Sequence, residues 1–237
     1  MLRRLGRRAG RAKKRCEYVR VRLAPHIFGP PCPPTRPNFG GLDQQPEEFI
    51  VSDGTVVQAT RKWVEDVVVG YNLCPFAKRE LVGDRVRFVV SEADNEDSLL
   101  QALQTELLRL DDEPETETTL LIHPHVLQSF ADYNQFLGAA DGLLTYLDLE
   151  GVYQIASFHP DYQFANAEAD AAENYTNRSP FPMLHLLREA SLEAAIDSHP
   201  DVDGIPQRNI ELMNKLGADK MRDILAGCLK AEENTGE

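Results

Sequence analysis

The sequence predicts an α/β protein with a small sheet of three or four strands, crossover helices between strands and a helical C-terminal region. Short runs of apolar and β-branched residues at 85–90, 119–123 and 152–158 are typical of strands. Amphipathic segments of ten residues or more separate these runs, which favours crossover connections. Beyond residue 182, apolar side chains recur three and four residues apart, as they do in helices.

The first helix is predicted over residues 59–69, with Thr60 as its cap and Gly70 as its end. Residues 67–69 are three consecutive valines, so a strand is the alternative there. The apolar stripe that predicts the helix consists of Trp63, Val64, Val67 and Val68.

Two long helices are predicted between the later strands. Asn95 or Ser98 is expected to cap the first, and Ser129 is expected to begin the second, with Gly151 as its end. Three further helices are predicted at 182–197, at 206–216 and from Asp219 to about Lys230. The irregular stretch from 159 to Pro182 exceeds about 15 residues, a length typical of functional or disordered loops.

Charge is divided unevenly along the chain. Residues 1–46 hold eleven Lys or Arg against Glu17 and Asp43, a net charge of +9, whereas the remainder carries −22. An acidic body repels phosphate backbones and anionic lipids, which argues against nucleic acid or membranes as partners of the folded domain. No segment approaches the ~20 apolar residues of a spanning helix. A soluble cytoplasmic protein with a small-molecule ligand is therefore expected.

The basic start divides the chain into three predicted parts. Residues 1–50 are expected to be a disordered, Pro-rich arm, residues 51–230 a single α/β domain and residues 231–237 a disordered tail. The arm has three interpretations: translated sequence upstream of the true start, which we favour, an Arg-rich organelle-targeting peptide, or a nucleic-acid-binding arm.

Cys74 is the first candidate for chemistry. Pro75 after it is typical of a helix start, where the helix dipole and Lys78 would stabilise a thiolate. Asn72 and Lys78 in the same segment are candidate substrate-binding residues. The alternative is that Cys74 and Phe76 are buried apolar residues at a tight turn.

Two histidines follow predicted strands directly. His123 and His159 would converge above the sheet if their strands were neighbours, because ligands of open α/β sheets bind at that edge. The imidazoles could bind a transition metal or act as acid and base, with Asp161 as an orienting group or a ligand. The alternative is that a His-Pro pair simply terminates each strand.

A third segment precedes and enters the helix predicted at 182–197. Three residues before that helix offer donors for an anionic substrate, and His185 and Arg188 are expected on its polar face. His185 is a candidate catalytic residue and metal ligand, and Arg188 a candidate substrate-binding residue; an ordinary solvated helix face is the alternative. The donors are Asn177, Arg178 and Ser179.

These segments resemble a family of bacterial proteins, with relatives in plants and algae, catalogued as domain of unknown function 1415. The resemblance implies a domain over most of residues 59–225 and gives weight to these segments, but it implies no activity. The matching segments are Asn72-Leu73-Cys74-Pro75-Phe76-Ala77, Glu117-Thr118-Thr119-Leu120-Leu121-Ile122-His123-Pro124, Ala156-Ser157-Phe158-His159-Pro160-Asp161-Tyr162-Gln163-Phe164-Ala165, Asn174-Tyr175-Thr176-Asn177-Arg178-Ser179-Pro180 and Leu184-His185-Leu186-Leu187-Arg188-Glu189.

Three functional hypotheses follow. The first is an enzyme acting on a small anionic substrate, which requires His159 and His185 to lie close together in a pocket. The second is a non-catalytic module that binds a small molecule or a protein. The third is a monothiol redox protein using Cys74, which requires a strand before that residue.

Overall fold

The computed structural model describes residues 52–230, in which seven α-helices surround one four-stranded sheet. The strands are β1 (Val86–Val90), β2 (Thr118–Ile122), β3 (Tyr153–Phe158) and β4 (Met183–Arg188). The helices are α1 (Asp53–Trp63), α2 (Ala77–Val82), α3 (Glu96–Asp112), α4 (Phe130–Tyr146), α5 (Glu189–Ser198), α6 (Ile205–Leu216) and α7 (Ala218–Leu229). A π-helix, Val64–Val69, continues α1, and a 3-10 helix, Ala172–Thr176, precedes β4.

The sheet has the strand order β1-β2-β4-β3. β1 and β2 are parallel, and β4 runs antiparallel to both of its neighbours. The predicted α/β class is confirmed, and so is a small sheet. β2 and β3 are not neighbours, because β4 lies between them, yet both run in the same direction and end at the same edge.

Helices pack on both faces of the sheet and give two apolar cores. Leu121, Leu184 and Leu186 point into the core with α3 and α4. Ile122 and Met183 point into the core with α1, α6 and α7. The alternation follows from the pleat of a strand, which sends successive side chains to opposite faces.

Polar side chains fix the starts of two helices. The Ser52 hydroxyl accepts a hydrogen bond from the Thr55 amide at 3.3 Å, so Ser52 caps α1, and Thr60, predicted as the cap, lies inside that helix. Asn95 caps α3 and forms a reciprocal capping box with Ser98. The prediction of Asn95 as a cap is confirmed.

The predicted helix at 59–69 is confirmed, and the strand alternative there is wrong. The last six residues are π-helical, and the Gly70 amide donates to the carbonyl oxygen of Glu65, five residues earlier, at 2.9 Å. A β-carbon at position 70 would lie 2.2 Å from the Asp66 carbonyl oxygen. Only glycine fits there, so Gly70 ends the helix as predicted.

The helix predicted at 182–197 is wrong in its first half, because residues 183–188 form β4 and only Glu189–Ser198 is helical. A central strand with both faces buried is apolar at nearly every position, and such a run resembles a helical stripe. His185 and Glu189 are consequently not one helical turn apart on a polar face.

The predicted arm and tail, residues 1–50 and 231–237, lie outside the described residues. Within residues 52–230, no helix has the length and apolar character needed to cross a membrane.

Candidate functional site

Two buried histidines meet at the edge where β2 and β3 end, which we call the carboxyl edge. His123 and His159 are both 0% exposed. The His123 ring stacks on Tyr133 with the centroids 5.8 Å apart, and the His159 ring lies 5.1 Å from the Tyr133 centroid. Both rings therefore contact the same tyrosine of α4, although the strands that precede them are not the neighbours that the predicted convergence required.

Hydrogen bonds fix the tautomer of both rings. The His159 Nδ1 atom accepts from the Asp161 amide at 3.0 Å, so Nε2 carries the proton and donates to the Leu127 carbonyl oxygen at 3.1 Å. The His123 Nδ1 atom donates to the Val126 carbonyl oxygen at 3.0 Å. The Nε2 atom of His123 is then an acceptor, and it has no partner among the described residues.

The loop held by these two rings has a strained backbone. Leu127 is buried with a φ of 58°, a conformation that costs a leucine about 1–3 kcal/mol. Its carbonyl oxygen is the acceptor for His159, so the same residue supplies the strain and the contact. Strain of this kind is concentrated at functional sites.

His185 lies on the opposite face of the sheet from His159. It pairs with Ala156, and its ring is 6.1 Å from Phe158, which contacts Trp63 of α1. Its Nε2 atom lies 2.7 Å from the Thr118 hydroxyl. Because a strand sends neighbouring side chains to opposite faces, His159 points away toward α4.

The predicted metal site is therefore wrong. His123, His159 and His185 do not converge, and the described residues contain no group of three or more His, Cys, Asp or Glu able to hold a metal ion. The requirement that His159 and His185 share a pocket is also unmet.

The three histidines are held neutral near pH 7. Burial, with a smaller contribution from the nearby His159, lowers the pKa of His123 to about 4. Burial likewise lowers the pKa of His185 to about 4 and the pKa of His159. Burial disfavours the charged imidazolium in each case, with hydrogen bonds to carbonyl oxygens acting in the opposite direction at His123 and His159.

Asn177, Arg178 and Ser179 fasten the loop before β4 to the rest of the domain. The Asn177 side chain donates to the Ser157 carbonyl oxygen at 3.1 Å, and the Ser179 hydroxyl donates to that of Phe181 at 2.7 Å. Both side chains are buried.

The Arg178 guanidinium donates to the carbonyl oxygens of Tyr162 and Ala169, at 3.1 and 2.7 Å, and stacks on Tyr175. These contacts assign the three polar residues a role in loop structure. Asp161 in the same region is exposed.

Arg188 ends β4 and binds the last turn of α3. Its guanidinium donates to the carbonyl oxygens of Leu110, Glu113 and Thr116. It also donates to the Tyr153 hydroxyl at 3.3 Å. A cation at a helix C-terminus stabilises the unpaired carbonyl groups there. All these partners are groups of the domain itself, so the contacts of the Arg188 guanidinium stabilise the structure.

Cys74 lacks the surroundings of an activated thiol. Helix α2 begins at Ala77 rather than at Pro75 and has only six residues. Burial raises the pKa of the Cys74 thiol, which the backbone amides of Phe76 and Ala77 offset only in part. Lys78 is exposed. The segment before Cys74 is helical, so the monothiol redox hypothesis is wrong in its requirement for a strand.

A cleft of about 210 Å³ lies beside the same segment. We call it the Asn209 cleft, after the side chain that donates to the Leu73 carbonyl oxygen at 2.8 Å and joins α6 to the Cys74 segment. Asn72, a predicted substrate-binding residue, lies in its wall. The cleft is lined by Tyr71, Asn72, Pro75, His199, Ile205, Arg208, Asn209 and Leu212.

Sequence reasoning missed His199, Arg208 and Asn209. The bond from Asn209 to Leu73 joins residues 136 positions apart. No local pattern signals such a contact. The ring of Phe76, which lies in the Cys74 segment, is edge-on to His199 with the ring centroids 5.8 Å apart.

The family model described as "Protein of unknown function (DUF1415)" matches residues 55–223. The chain belongs to this family. The DUF1415 match includes the carboxyl edge and every residue that lines the Asn209 cleft. Comparison with curated proteins and with solved structures gave no match.

Proposed function

We propose that the DUF1415 domain is a non-catalytic module that binds a small molecule in the Asn209 cleft. The single observation that carries the proposal is the cleft itself, which joins the Asn72–Pro75 wall to α6. Drug-sized ligands occupy pockets of about 300–1,000 Å³. The volume of about 210 Å³ therefore suits a smaller molecule with few heavy atoms.

The backbone beside the cleft supports a binding role. The π-helix Val64–Val69 ends two residues before Tyr71, and π-helical turns are frequent at functional sites. Asn72 follows with a φ of 53°, and the Leu73 amide donates to the Val68 carbonyl oxygen, five residues earlier, at 2.9 Å. Together these features turn Tyr71 and Asn72 into the cleft wall.

The positions of the reactive side chains argue against an enzyme built as predicted. Cys74 carries a thiol whose pKa is raised by burial. His159 uses both ring nitrogens for structural hydrogen bonds, and His185 lies on the far face of the sheet. A catalytic group must reach the reacting atoms, and none of these three side chains lines the Asn209 cleft.

A fragment titration followed by amide NMR tests the binding proposal. Isotope-labelled full-length protein is titrated with a library of polar fragments of four to ten heavy atoms. At least one fragment is expected to shift the Asn72, Asn209 and Leu212 resonances together. Leu212→Trp fills the cleft and should weaken that fragment at least tenfold, a change of about 1.4 kcal/mol.

Leu229→Trp is the matched control, because Leu229 is 44% exposed on α7 and lies outside the cleft. This variant should bind the fragment as the unsubstituted protein does. Shifts confined to residues outside the cleft would contradict the proposal. Equal weakening of fragment binding by the two tryptophan variants would contradict it as well.

An acid–base enzyme at the carboxyl edge is the second candidate, favoured by the buried, unpartnered Nε2 atom of His123. Proton NMR of a mixture of small carboxylates, amides and phosphate esters would detect turnover. Turnover that is lost with His123→Gln and kept with His125→Gln supports an enzyme, since His125 is exposed. Turnover that is indifferent to His123 counts against it.

We propose that the protein acts in the cytosol, because the body of the chain is acidic and has no long apolar segment. Fractionation of cells that express the native gene tests it, and recovery in a membrane or organelle fraction would contradict it.

A further inference from the structure

We propose that the ligand of the Asn209 cleft carries a carboxylate, which is bound by the Nε2–H group of His199 and by the guanidinium of Arg208. The inference rests on the proposed binding function and names the chemical class of the ligand. It depends on the tautomer of His199, on the charge of the cleft lining and on the contacts of Arg208.

The tautomer of His199 makes it a donor. Its Nδ1 atom accepts a hydrogen bond from the Asp201 amide at 3.2 Å. A neutral imidazole that accepts at Nδ1 carries its proton on Nε2. The edge-on contact with Phe76, with an angle of 84° between the rings, fixes the plane of that donor. His199, which lines the cleft, therefore carries an N–H group, and a ligand bound to that group must offer an acceptor.

The lining of the cleft contains one cation and no carboxylate. The chain has 38 Asp and Glu residues and a net charge of −13, yet none of the eight lining residues is acidic. Arg208 is the one charged residue among them. An anion entering here meets a cation and neutral donors, and at Arg208 it competes with the Asp201 carboxylate that pairs with the guanidinium.

Arg208 is held in place by a contact that a ligand can share. Its Nη1 atom lies 2.5 Å from the Asp201 carboxylate, and its Nη2 atom is 3.3 Å from the Asp201 carbonyl oxygen. Both partners are at least half exposed, and exposed ion pairs of this kind are weak. A β-carbon at Gly204 would lie 2.6 Å from Nη1, so both side chains of the pair would have to shift if position 204 carried one.

The rest of the lining suits a short apolar tail. Ile205, Leu212 and Pro75 line the cleft together with the polar groups. A carboxylate on a chain of three or four carbons matches this division between donors and apolar surface. Guanidinium and carboxylate groups also match in geometry, since two parallel N–H bonds can form.

Butyrate and its neutral isostere butyramide test the inference on full-length protein. Ligand binding is followed by the amide resonances of Asn72 and Asn209 and by the ring nitrogen signals of His199. Butyrate is expected to bind at least tenfold more tightly than butyramide and to shift the His199 Nε2 signal.

His199→Phe keeps the aromatic contact with Phe76 and removes the donor, and Arg208→Lys keeps the charge and removes the planar fork. Each should weaken butyrate about tenfold, whereas the exposed His125→Phe should not. Amide spectra that retain their dispersion establish that the variants are folded.

The outcomes separate the two proposals. If butyramide binds as well as butyrate, or inorganic phosphate binds more tightly, the carboxylate inference is overturned while the binding function stands. The same holds if His199→Phe leaves butyrate affinity unchanged. If neither these probes nor the fragment library shift the cleft resonances, the binding function fails and the inference fails with it.

Discussion

The Tyr133 hydroxyl donates a hydrogen bond to the Met183 carbonyl oxygen at 2.8 Å. A side chain of α4 thus bonds directly to the backbone of β4. The same hydroxyl accepts from the Phe158 amide at 3.0 Å. It thus joins the end of β3 to the start of β4 at the carboxyl edge. The hydroxyl oxygen bridges the two strands at a point where a direct backbone hydrogen bond would otherwise join them.

Tyr133→Phe should lower the free energy of unfolding by about 2 kcal/mol, because a buried amide and a buried carbonyl lose their partner. Urea denaturation measures the change. Tyr146→Phe is the control, since Tyr146 is 81% exposed. Equal stabilities of the two variants would show that the Tyr133 hydroxyl does not join the strands.

Stability should fall as the pH drops from about 6.5 to about 4. In the unfolded chain a histidine takes up a proton near pH 6.5, whereas burial lowers the pKa of His123 to about 4 in the folded protein. Protons then bind preferentially to the unfolded state, and the loss from His123 alone is about 3 kcal/mol below pH 4.

Chemical denaturation at a series of pH values measures this loss. His123→Gln should flatten the profile in that range, and His125→Gln should not, because His125 is exposed. A profile that His123→Gln leaves unchanged would contradict the assignment.

Arg188→Lys should destabilise the domain by about 2–3 kcal/mol, although it keeps the charge. The guanidinium reaches the carbonyl oxygens of Leu110, Glu113 and Thr116 at once, and a lysine ammonium cannot satisfy all three. Thermal unfolding measures the effect, with the exposed Arg79→Lys as the control. A variant as stable as the control would mean that these contacts are weak.

Gly70→Ala should destabilise the domain by more than about 2 kcal/mol, since the added β-carbon would lie 2.2 Å from the Asp66 carbonyl oxygen. Gly138→Ala in α4 meets nothing within 4 Å and should be stabilising by about 0.5–1 kcal/mol. In urea denaturation, the changes in the free energy of unfolding of the two variants are expected to have opposite signs. Changes of the same sign would contradict the tight approach at Gly70.

Local patterns in the sequence were sufficient for most of the fold. Asn95 and Ser98 form the capping box that their spacing suggests, and Ser129 directly precedes α4. β4 was missed because Met183, Leu184 and Leu186 are fully buried on two different faces, so no alternation is visible. With a strand taken for a helix, His185 was placed on the wrong surface.

Some residues of the candidate sites could be found from local patterns in the sequence, and others could not. His123 and His159 were found because each follows a strand, and strands that run in one direction end at one edge. Arg178 and Arg188 have the chemistry of anion anchors, but their donors bind backbone carbonyl oxygens that only the folded chain brings near. The Asn209 cleft depends on distant packing, which local periodicity does not encode.

The position of β4 has a consequence for synthesis on the ribosome. β4 is the last strand to emerge, yet it lies inside the sheet, and its Leu121–Leu184 pairing spans more than sixty residues. Until residue 188 has left the exit tunnel, β3 has no strand to pair with, and the edges of β2 and β3 that bond to β4 keep unpaired backbone groups. Nascent chains of intermediate length are therefore expected to expose strand edges that favour aggregation.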